Sequence, residues 1–287
     1  PIASSAASDV YKRQGSFVGQ HVCTPLQGVA VHINAFNFPV WGMLEKLAPT
    51  LLAGMPAIVK PATVTGYLTE AAFRMIIESC LLPDGAVQLV SGRLGPLLDM
   101  LGPQDAVSFT GSAVTGVMLR GTPNLLERSV RFSAEQDSLN ATILGPDVMV
   151  GDPEFDLFIK EAAGEITAKA GQKCTAVRRI LVPKVLRQPV AEALRAALDD
   201  VAIGDPRLKE VGMGALASGG QKQDVLAKCE MFKGEARFII GGEAPRLTGE
   251  DLAGGAFVAP TIFDCADPDG ATHLHDCLLY TSDAADE

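Results

Sequence analysis

Cys174 is the residue whose type and surroundings could most directly do covalent chemistry. It follows a helix-like run that ends near Lys169, lies between the cations Lys173 and Arg178, and precedes an apolar strand-like segment. The thiolate is the nucleophilic form of cysteine, and nearby cations or a helix start can lower a thiol pKa from its usual value of about 8.5. A lone cysteine is more often a buried, inert thiol. Cys174 is therefore a candidate nucleophile that needs a base, an oxyanion donor and an acceptor elsewhere in the chain.

Two further polar residues could serve this nucleophile. Glu135 stands just past a strand-like segment, at the predicted junction of two domains, where a partly desolvated carboxylate could activate water. Asn37 lies between two aromatic residues and before Pro39, and its amide could donate to a developing oxyanion. The alternatives are an ordinary loop glutamate and a turn or helix-capping asparagine.

Lys60 and Gly111-Ser112 could bind a nucleotide. Lys60 ends a strand-like segment before Pro61, where a cation could bond ribose hydroxyls or phosphate. Gly111-Ser112, followed by Gly116, stands where a strand turns into a helix, and the N–H groups of such a turn suit a pyrophosphate. The alternatives are a solvated lysine and the glycines that many α/β turns need, because the spacing is not Gly-x-Gly-x-x-Gly.

The elements that must position these residues alternate along the chain. The strand-like segments span 28–34, 57–60, 86–90, 106–109, 129–134, 141–144, 178–182, 237–240 and 257–262. The helix-like segments span 40–52, 65–82, 95–101, 154–170, 188–201 and 221–232, with a further helix opened by 110–116. Thr65 is a possible N-cap. The alternation predicts an α/β protein with a parallel sheet, helices on both faces and ligands beyond the carboxyl ends of the strands.

Composition restricts the class of protein. The 287 residues carry a formal net charge of −10, which argues against a nucleic-acid surface. Six cysteines without a Cys-x-x-Cys pair predict reduced thiols in a cytoplasmic protein. No apolar run approaches the roughly 18 residues of a membrane span. Cys265, His273, His275 and Cys277 match no standard zinc spacing, so we expect no metal site there.

Both ends of the chain look foreign. Residues 1–14 and 277–287 resemble translated adapter sequence, and we expect them to be a non-native leader and tail. We therefore predict a partial dinucleotide-binding domain over 15–134 and a partial catalytic domain over 135–276. The native protein is expected to continue beyond both ends.

Together these motifs resemble the aldehyde dehydrogenase superfamily. The motifs that carry the resemblance, in the order and spacing of that family, are Ala35-Phe-Asn-Phe-Pro39, Val59-Lys-Pro61, Phe109-Thr-Gly-Ser112, Glu135, Gly171-Gln-Lys-Cys174 and Ala259-Pro-Thr261. Residues 31–49 and 135–140 are most similar to the dehydrogenase half of the bifunctional ring-opening enzymes of phenylacetate degradation. Semialdehyde dehydrogenases of the aerobic benzoyl-CoA pathway are also similar.

The resemblance implies an aldehyde dehydrogenase fold, truncated at both ends, with a Rossmann-like cofactor domain and an α/β catalytic domain. It implies that Cys174 attacks an aldehyde and that this aldehyde is a CoA-thioester semialdehyde. It also implies that Asn37 and the Cys174 N–H hold the oxyanion and that Glu135 activates the hydrolytic water. It also implies a homo-oligomer. The cofactor-binding residues that it implies are Phe36, Lys60, Thr63, Gly92, Gly95, Gly111 and Ser112.

Thr63 decides the expected cofactor. In this family, NAD-preferring members carry a glutamate three residues after the lysine that corresponds to Lys60, where it bonds the ribose 2′-OH and repels a 2′-phosphate. A neutral threonine removes that repulsion, so we predict NADP, with NAD possible.

Two alternative functions stay open. The chain could be a non-catalytic nucleotide-binding module with an inert Cys174, or a CoA-acylating dehydrogenase that needs no water-activating base, although Glu135 favours hydrolysis. The family's Glu-x-Phe-Gly-Pro motif should follow His275-Asp276, where the foreign tail stands instead. We therefore expect the 287-residue chain itself to be inactive or weakly active.

Overall fold

The computed structural model describes residues 12–14, 17–19, 22–267 and 269–271. The chain divides into two compact units, one ending at Gln136 and the next beginning at Asp137. The sequence placed the change of domain just before Glu135, whereas Glu135 and Gln136 belong to the first unit. Across the described ranges, no helix combines the length and the apolar character that crossing a bilayer requires.

In its described residues, the first unit contains a parallel sheet and four α-helices. Its strands are β1 (Lys12–Gln14), β2 (Phe17–Gly19), β3 (Ala30–Ile33), β4 (Ala57–Lys60), β5 (Val87–Leu89), β6 (Ala106–Gly111) and β7 (Arg131–Gln136). Its helices are α1 (Trp41–Leu52), α2 (Gly66–Glu78), α3 (Ala113–Arg120) and α4 (Pro123–Glu127), with 3-10 turns at Thr63–Thr65 and Gly95–Met100.

The order of strands in this sheet is β5-β4-β3-β6-β7, and every neighbouring pair is parallel. The chain first adds β4 and β5 on one side of β3 and then crosses to add β6 and β7 on the other. The carboxyl ends of all five strands lie at one edge, and the switch point lies between β3 and β6, where ligands of open α/β sheets bind. β1 and β2 form a separate antiparallel pair.

Alternating side chains give the sheet two different faces. On one face, Val31, Ile33, Val107 and Phe109 pack with residues of α3, α4 and the turn before β6. On the other face, Ala57, Val59 and Val87 of β4 and β5 pack with Met43 and Leu47 of α1. Strands buried on both faces read as near-continuous apolar runs, which is why the sequence predicted them well.

The described part of the second unit contains small sheets and three α-helices. Its strands are β8 (Asn140–Ile143), β9 (Val177–Leu181), β10 (Ile203–Gly204), β11 (Arg237–Ile240), β12 (Leu247–Thr248) and β13 (Ile262–Asp264). Its helices are α5 (Pro153–Thr167), α6 (Arg187–Asp199) and α7 (Gly219–Phe232), with 3-10 turns at Ala168–Gly171 and Lys184–Leu186. β8 pairs with β9 and β10 with β12 in parallel, and β11 pairs with β13 antiparallel.

Packing and one ion cluster hold this unit together. Leu144, Phe155, Ile159 and Leu194 belong to a core formed by α5, α6 and the chain around β8 and β9. Asp264 accepts from Arg187 Nε at 2.5 Å and from Arg237 Nε at 2.8 Å. The bond from Arg187 is the main cause that lowers the pKa of Asp264, with Arg237 acting in the same direction.

One strand was predicted too early in the sequence, and one predicted helix cap lies in its expected position without the expected bond. In the strand predicted over 257–262, residues 257–261 belong to no helix or strand, and β13 begins only at Ile262; Pro260 has no N–H to give to a ladder. Thr65 lies at the N-cap position of α2, as predicted, but its side chain makes no capping bond and instead donates its hydroxyl to the carbonyl of Phe36 at 2.8 Å. The short elements α4, β10 and β12 were not predicted.

Candidate active site

Asn37 is buried in the segment that joins β3 to α1, with 6% of its surface exposed. The carbonyl of Phe36 accepts the Thr65 hydroxyl at 2.8 Å. The carbonyl of Pro39 accepts the Thr69 hydroxyl at 3.0 Å. Hydroxyls from the 3-10 turn and from α2 therefore fix the backbone on both sides of Asn37, and burial argues against an ordinary surface turn.

The sequence predicted Glu135 just past the end of a strand, whereas the structure places it within β7. It pairs with Thr110 of β6, so the two side chains leave the same face of the sheet. Lys46 of α1 covers that face and donates to the Thr110 hydroxyl at 2.7 Å. Burial lowers the pKa of Lys46, while the charges of Glu45 and Glu135 raise it. A largely buried cation thus accompanies the exposed carboxylate of Glu135.

A buried histidine extends this polar face. His32 is 2% exposed, and its Nε2 lies 3.0 Å from the Thr50 hydroxyl of α1. Burial, helped by the charge of Lys46, lowers the pKa of His32 from 6.5 to about 4. The imidazole is therefore neutral near pH 7 and adds no charge to the surroundings of Glu135.

Lys60 and the loops beside it line the other side of the same sheet edge. Lys60 pairs with Ile33 and is 0% exposed, which excludes the alternative of a solvated strand-end lysine. Thr63 is exposed in the 3-10 turn that follows. Gly92, after β5, has a φ of +94°, and nothing lies within 4 Å of the position of a Cβ there or at Gly95.

The turn from β6 into α3 presents the start of a helix. Ser112 is its N-cap and accepts from the Thr115 N–H at 3.1 Å. Gly116 serves packing: a Cβ there would lie 1.8 Å from Gln136 Nε2. The helix start, the open glycine loop and the buried cation together fit a dinucleotide, because pyrophosphate and ribose need N–H donors, close backbone approach and positive charge.

Cys174 belongs to the second unit, in a loop that follows a broken helix. α5 ends at Thr167, and the next turn holds three successive residues in the left-handed region: Lys169 and Ala170, both with φ +53°, and Gly171, with φ +71°. Left-handed backbone is costly for residues other than glycine and often accompanies functional loops. No helix starts at Cys174; the next element is β9.

The sequence predicted that Lys173 and Arg178 could act on the Cys174 thiol, whereas the structure gives both cations other partners. Lys173 forms a 2.8 Å ion pair with Glu165. The Arg178 guanidinium donates to the carbonyl of Gly171 at 2.6 Å and so braces the loop. Lys169 is the cation that interacts electrostatically with Cys174, and burial lowers the pKa of Lys169 itself.

Side chains hold the backbone carbonyls of this loop. The Gln172 amide donates to Lys169 O and accepts from the Ala217 N–H, both at 2.9 Å. Ser138 Oγ and Asn140 Nδ2 both donate to the carbonyl of Cys174. In contrast, within the described part of the chain the Cys174 N–H donates to no protein acceptor.

Sequence reasoning gave no role to four of these residues. Lys46, Ser138 and Asn140 lie inside the stretches that carry the family resemblance, and that was the available signal. Lys169 was used only to mark the end of a helix. Their contacts join segments far apart in sequence, so local patterns could not reveal them.

Of the four residues considered as a zinc site in the sequence, three lie outside the described ranges. Among the described residues, no group of three or more histidine, cysteine or acidic side chains could hold a metal ion. His273, His275 and Cys277 lie outside those ranges. The described cysteines, Cys23, Cys80, Cys174, Cys229 and Cys265, carry free thiols.

Comparison with known proteins gives consistent results. Residues 6–277 match the aldehyde dehydrogenase family. A 3,4-dehydroadipyl-CoA semialdehyde dehydrogenase of Aromatoleum evansii is 45% identical over 265 residues, which cover 92% of this chain and 52% of that protein. The chain thus spans about half the length of that relative.

Solved structures show the same fold. A γ-glutamyl-γ-aminobutyraldehyde dehydrogenase of Burkholderia cenocepacia aligns with a TM-score of 0.76 and 27% identity, over 89% of this chain and 50% of its own. A betaine aldehyde dehydrogenase of Staphylococcus aureus, solved in complex with NAD+, aligns with a TM-score of 0.76 and 24% identity, over 88% and 48%. These likenesses confirm the predicted fold class.

Proposed function

Because this chain belongs to the aldehyde dehydrogenase family, we propose that the protein oxidises an aldehyde to a carboxylic acid through a covalent intermediate on Cys174. The loop around Cys174 carries this proposal. The Ser138 and Asn140 side chains donate hydrogen bonds to the carbonyl of Cys174, while the Cys174 N–H has no protein acceptor among the described residues. That arrangement leaves an N–H donor beside a thiol, as an attack on a carbonyl requires.

In the first step, the Cys174 thiolate forms a C–S bond to the aldehyde carbon, and the π electrons of the carbonyl move to its oxygen. The resulting oxyanion accepts from the Cys174 N–H and from the Asn37 amide. Loss of hydride from the same carbon oxidises the adduct to a thioester, and a nicotinamide cofactor would supply the hydride acceptor. Lys60, Gly92, Gly95, Gly111, Ser112, Phe36 and Thr63 are the residues proposed to hold that cofactor.

Glu135 is the proposed base of the second step. It removes a proton from water while the water oxygen attacks the thioester carbon, the C–S bond breaks, and the thiolate is restored. Glu135 is exposed on β7, so water can reach it, and Lys46 provides a nearby positive charge. Hydrolysis of this kind distinguishes the proposal from the CoA-acylating alternative.

Cysteine labelling tests the proposal directly. Iodoacetamide should modify Cys174 quickly in the native protein, and NADP should slow that reaction. Exposed Cys80 is the control for ordinary reactivity, and it should be insensitive to NADP. Buried Cys229, whose pKa is raised by burial, should react only after denaturation. If Cys174 behaves like Cys229, the chain is a nucleotide-binding module with an inert thiol.

The proposed substrate is a CoA-thioester semialdehyde from aerobic aromatic degradation, with phenylacetate degradation as the pathway. The relative named for 3,4-dehydroadipyl-CoA semialdehyde supports the substrate class, and the benzoyl-CoA pathway is the second candidate. Comparing kcat/KM for 3,4-dehydroadipyl-CoA semialdehyde and 3-oxo-5,6-dehydrosuberyl-CoA semialdehyde separates the two pathways. A clear preference for the former would overturn the phenylacetate assignment.

NADP is the proposed cofactor, and Thr63 is the proposed determinant of that choice. Thr63 is exposed at the first position of the turn after Lys60. Thr63→Glu should lower the ratio of NADP to NAD efficiency in the active protein about tenfold or more, because a carboxylate repels the 2′-phosphate and can bond the 2′-OH. Val64→Glu, on the neighbouring exposed residue, is the matched control. An unchanged ratio in Thr63→Glu would refute this role.

A further inference from the structure

Two side chains from one short segment converge on the backbone oxygen of Cys174. The Ser138 hydroxyl and the Asn140 amide both donate to that carbonyl. The same Asn140 amide nitrogen lies 3.3 Å from the carbonyl of Ala176 and 3.3 Å from the Ser138 hydroxyl. One asparagine thus links two carbonyls of the Cys174 loop to each other and to the serine.

The peptide on the other side of Cys174 is also held. The carbonyl of Lys173 accepts from the Ala176 N–H at 3.1 Å and from the Arg178 guanidinium at 3.4 Å. Peptide groups are planar, so fixing the Lys173 oxygen also fixes the direction of the Cys174 N–H. Fixing the Cys174 oxygen as well restricts both backbone torsions of Cys174, φ and ψ, and hence the direction of its Cα–Cβ bond.

The anchor of these contacts is rigid. Asn140 is the first residue of β8 and pairs with Val177 of β9, and the register shifts between Asn140 and Ala141. A bulge of this kind re-aims a side chain at the end of a strand. The Asn140 amide is therefore directed at the loop by sheet pairing and not by the loop itself.

We propose that Ser138 and Asn140 are positioning residues that hold the Cys174 peptide so that its N–H and its thiol face the aldehyde together. This inference rests on the proposed nucleophilic role of Cys174. Both side chains are neutral donors, so they fix the carbonyl without placing a new charge beside the thiolate. Their contribution is therefore to geometry: they act through the backbone of Cys174 and touch no reacting atom.

Reversible protection of the thiol by an aldehyde measures this geometry without any nucleotide. Hexanal that forms a thiohemiacetal on Cys174 blocks its alkylation by iodoacetamide, and the adduct depends on the oxyanion contacts. In Asn140→Ala and Ser138→Ala, the hexanal concentration for half-protection should rise up to about tenfold, as expected for loss of one net hydrogen bond. The alkylation rate without hexanal should change little, because alkylation forms no oxyanion.

Two further variants separate positioning from stability. Ser138→Thr keeps the hydroxyl and should restore protection to near the wild-type level. If Asn140→Ala fails to fold, the comparison of Ser138→Ala with Ser138→Thr still tests the proposal. Asn124→Ala is the matched control, because the Asn124 amide also donates to two backbone carbonyls, those of Leu98 and Leu101, both at 2.9 Å. It should lower the melting temperature and leave protection unchanged.

The outcomes distinguish this inference from the proposed function. If wild-type Cys174 is alkylated but hexanal never protects it, the nucleophilic role fails and the positioning role falls with it. If hexanal protects the wild type and both alanine variants at the same concentration while their melting temperatures fall, the proposed function stands and only the positioning role is overturned.

Discussion

The first unit places its candidate residues at the ends of paired parallel strands, whereas the second unit places Cys174 after a broken helix. Asn37, Lys60, Ser112 and Glu135 lie in or directly after β3, β4, β6 and β7. Their arrangement follows from strand register, because each strand is fixed by backbone ladders and by apolar packing on its faces. No ladder fixes the Cys174 loop before β9, and hydrogen bonds from side chains to carbonyls take that place.

This difference separates two kinds of dependence on sequence. A position fixed by register depends on many apolar residues at once, so a single polar substitution at the site leaves the scaffold intact. A loop fixed by a few side chains and left-handed residues depends on each of them. Variants in the first unit should therefore separate chemistry from stability, whereas variants around Cys174 should change geometry at a small cost in stability.

The largest expected effect tests the first half of that comparison. Glu135→Gln should lower steady-state turnover of the active protein about 10²- to 10⁴-fold, the usual contribution of a general base. The first turnover should still release NADPH, because thiohemiacetal formation and hydride transfer do not use this carboxylate. Rapid-mixing absorbance at the NADPH band measures both phases.

Glu127→Gln, an exposed glutamate on α4, is the control and should behave as wild type. Unimpaired turnover in Glu135→Gln would mean that water is not the acceptor, as in the CoA-acylating alternative. Loss of the first turnover as well would mean that Glu135 also acts before the thioester forms.

Phe109→Ala tests whether packing is what fixes register in the first unit. Phe109 is 1% exposed in the core on the α3 face, directly before Thr110 and Gly111. Its removal should lower the free energy of unfolding by about 3–5 kcal/mol, through lost burial and a residual cavity. Val114→Ala, on an exposed residue of α3, should change it little. Urea denaturation measures both, and a loss of stability that is similar in the two variants would contradict the role given to this core.

The same contrast explains which features the sequence could predict. β4 was predicted with its observed bounds because an apolar run ends at Pro61. The parallel sheet followed from the alternation of segments, and the order of its strands did not, because pairing depends on contacts between distant segments. The roles given to Asn37, Glu135 and Cys174 came from residue type and family resemblance, and they remain predictions.

What the sequence could not predict depends on tertiary burial. Lys46 sits in an amphipathic helix where a lysine ordinarily marks the solvent face, yet its side chain is 9% exposed. Lys169 appeared to end a helix, whereas α5 ends earlier and the left-handed turn intervenes. Ser138 and Asn140 reach a loop more than thirty residues away in sequence. Beyond the family resemblance of the surrounding stretches, residue type and spacing give no signal for such contacts.

Buried His32 in the first unit predicts a dependence of stability on pH. The folded state keeps His32 neutral, with a pKa of about 4 against 6.5 for the unfolded chain. Below pH 6.5 the unfolded state binds a proton that the folded state does not bind until about pH 4. Stability contributed by this group is therefore complete above pH 6.5 and decreases by roughly 3 kcal/mol as the pH falls to 4.

Urea denaturation of the wild type and His32→Gln between pH 7 and pH 4 measures this contribution. The variant should lose less stability over that range, because glutamine does not titrate. Asp205 and Asp264, whose carboxyl pKa values are lowered by bonds from Arg207 and Arg187, lose their contributions at lower pH and are common to both proteins. Parallel pH profiles in the two proteins would show that His32 is not held neutral.

The smallest effects concern the left-handed turn before Cys174, and they should have opposite signs at adjacent residues. Gly171 and Ala170 have similar backbone torsions, with φ of +71° and +53°. Gly171→Ala should lower the free energy of unfolding by about 1–2 kcal/mol through backbone strain, since its new Cβ would meet only ordinary contacts at 3.4 Å and 3.7 Å. Ala170→Gly relieves the same strain and should raise it by about 0.5 kcal/mol, because added freedom of the unfolded chain offsets part of the gain.

Urea midpoints of the two variants give these differences, and the hexanal concentration for half-protection of Cys174 in each shows whether the turn also positions the Cys174 peptide. In the first unit, Gly116→Ala acts by a different mechanism. Its Cβ would lie 1.8 Å from Gln136 Nε2 and would displace that side chain, without any left-handed strain. A loss of stability in Ala170→Gly that equals or exceeds the loss in Gly171→Ala would mean that the turn is unstrained. The Cys174 loop would then be held by its side-chain hydrogen bonds alone, which makes Ser138, Asn140 and Arg178 the residues on which its geometry depends.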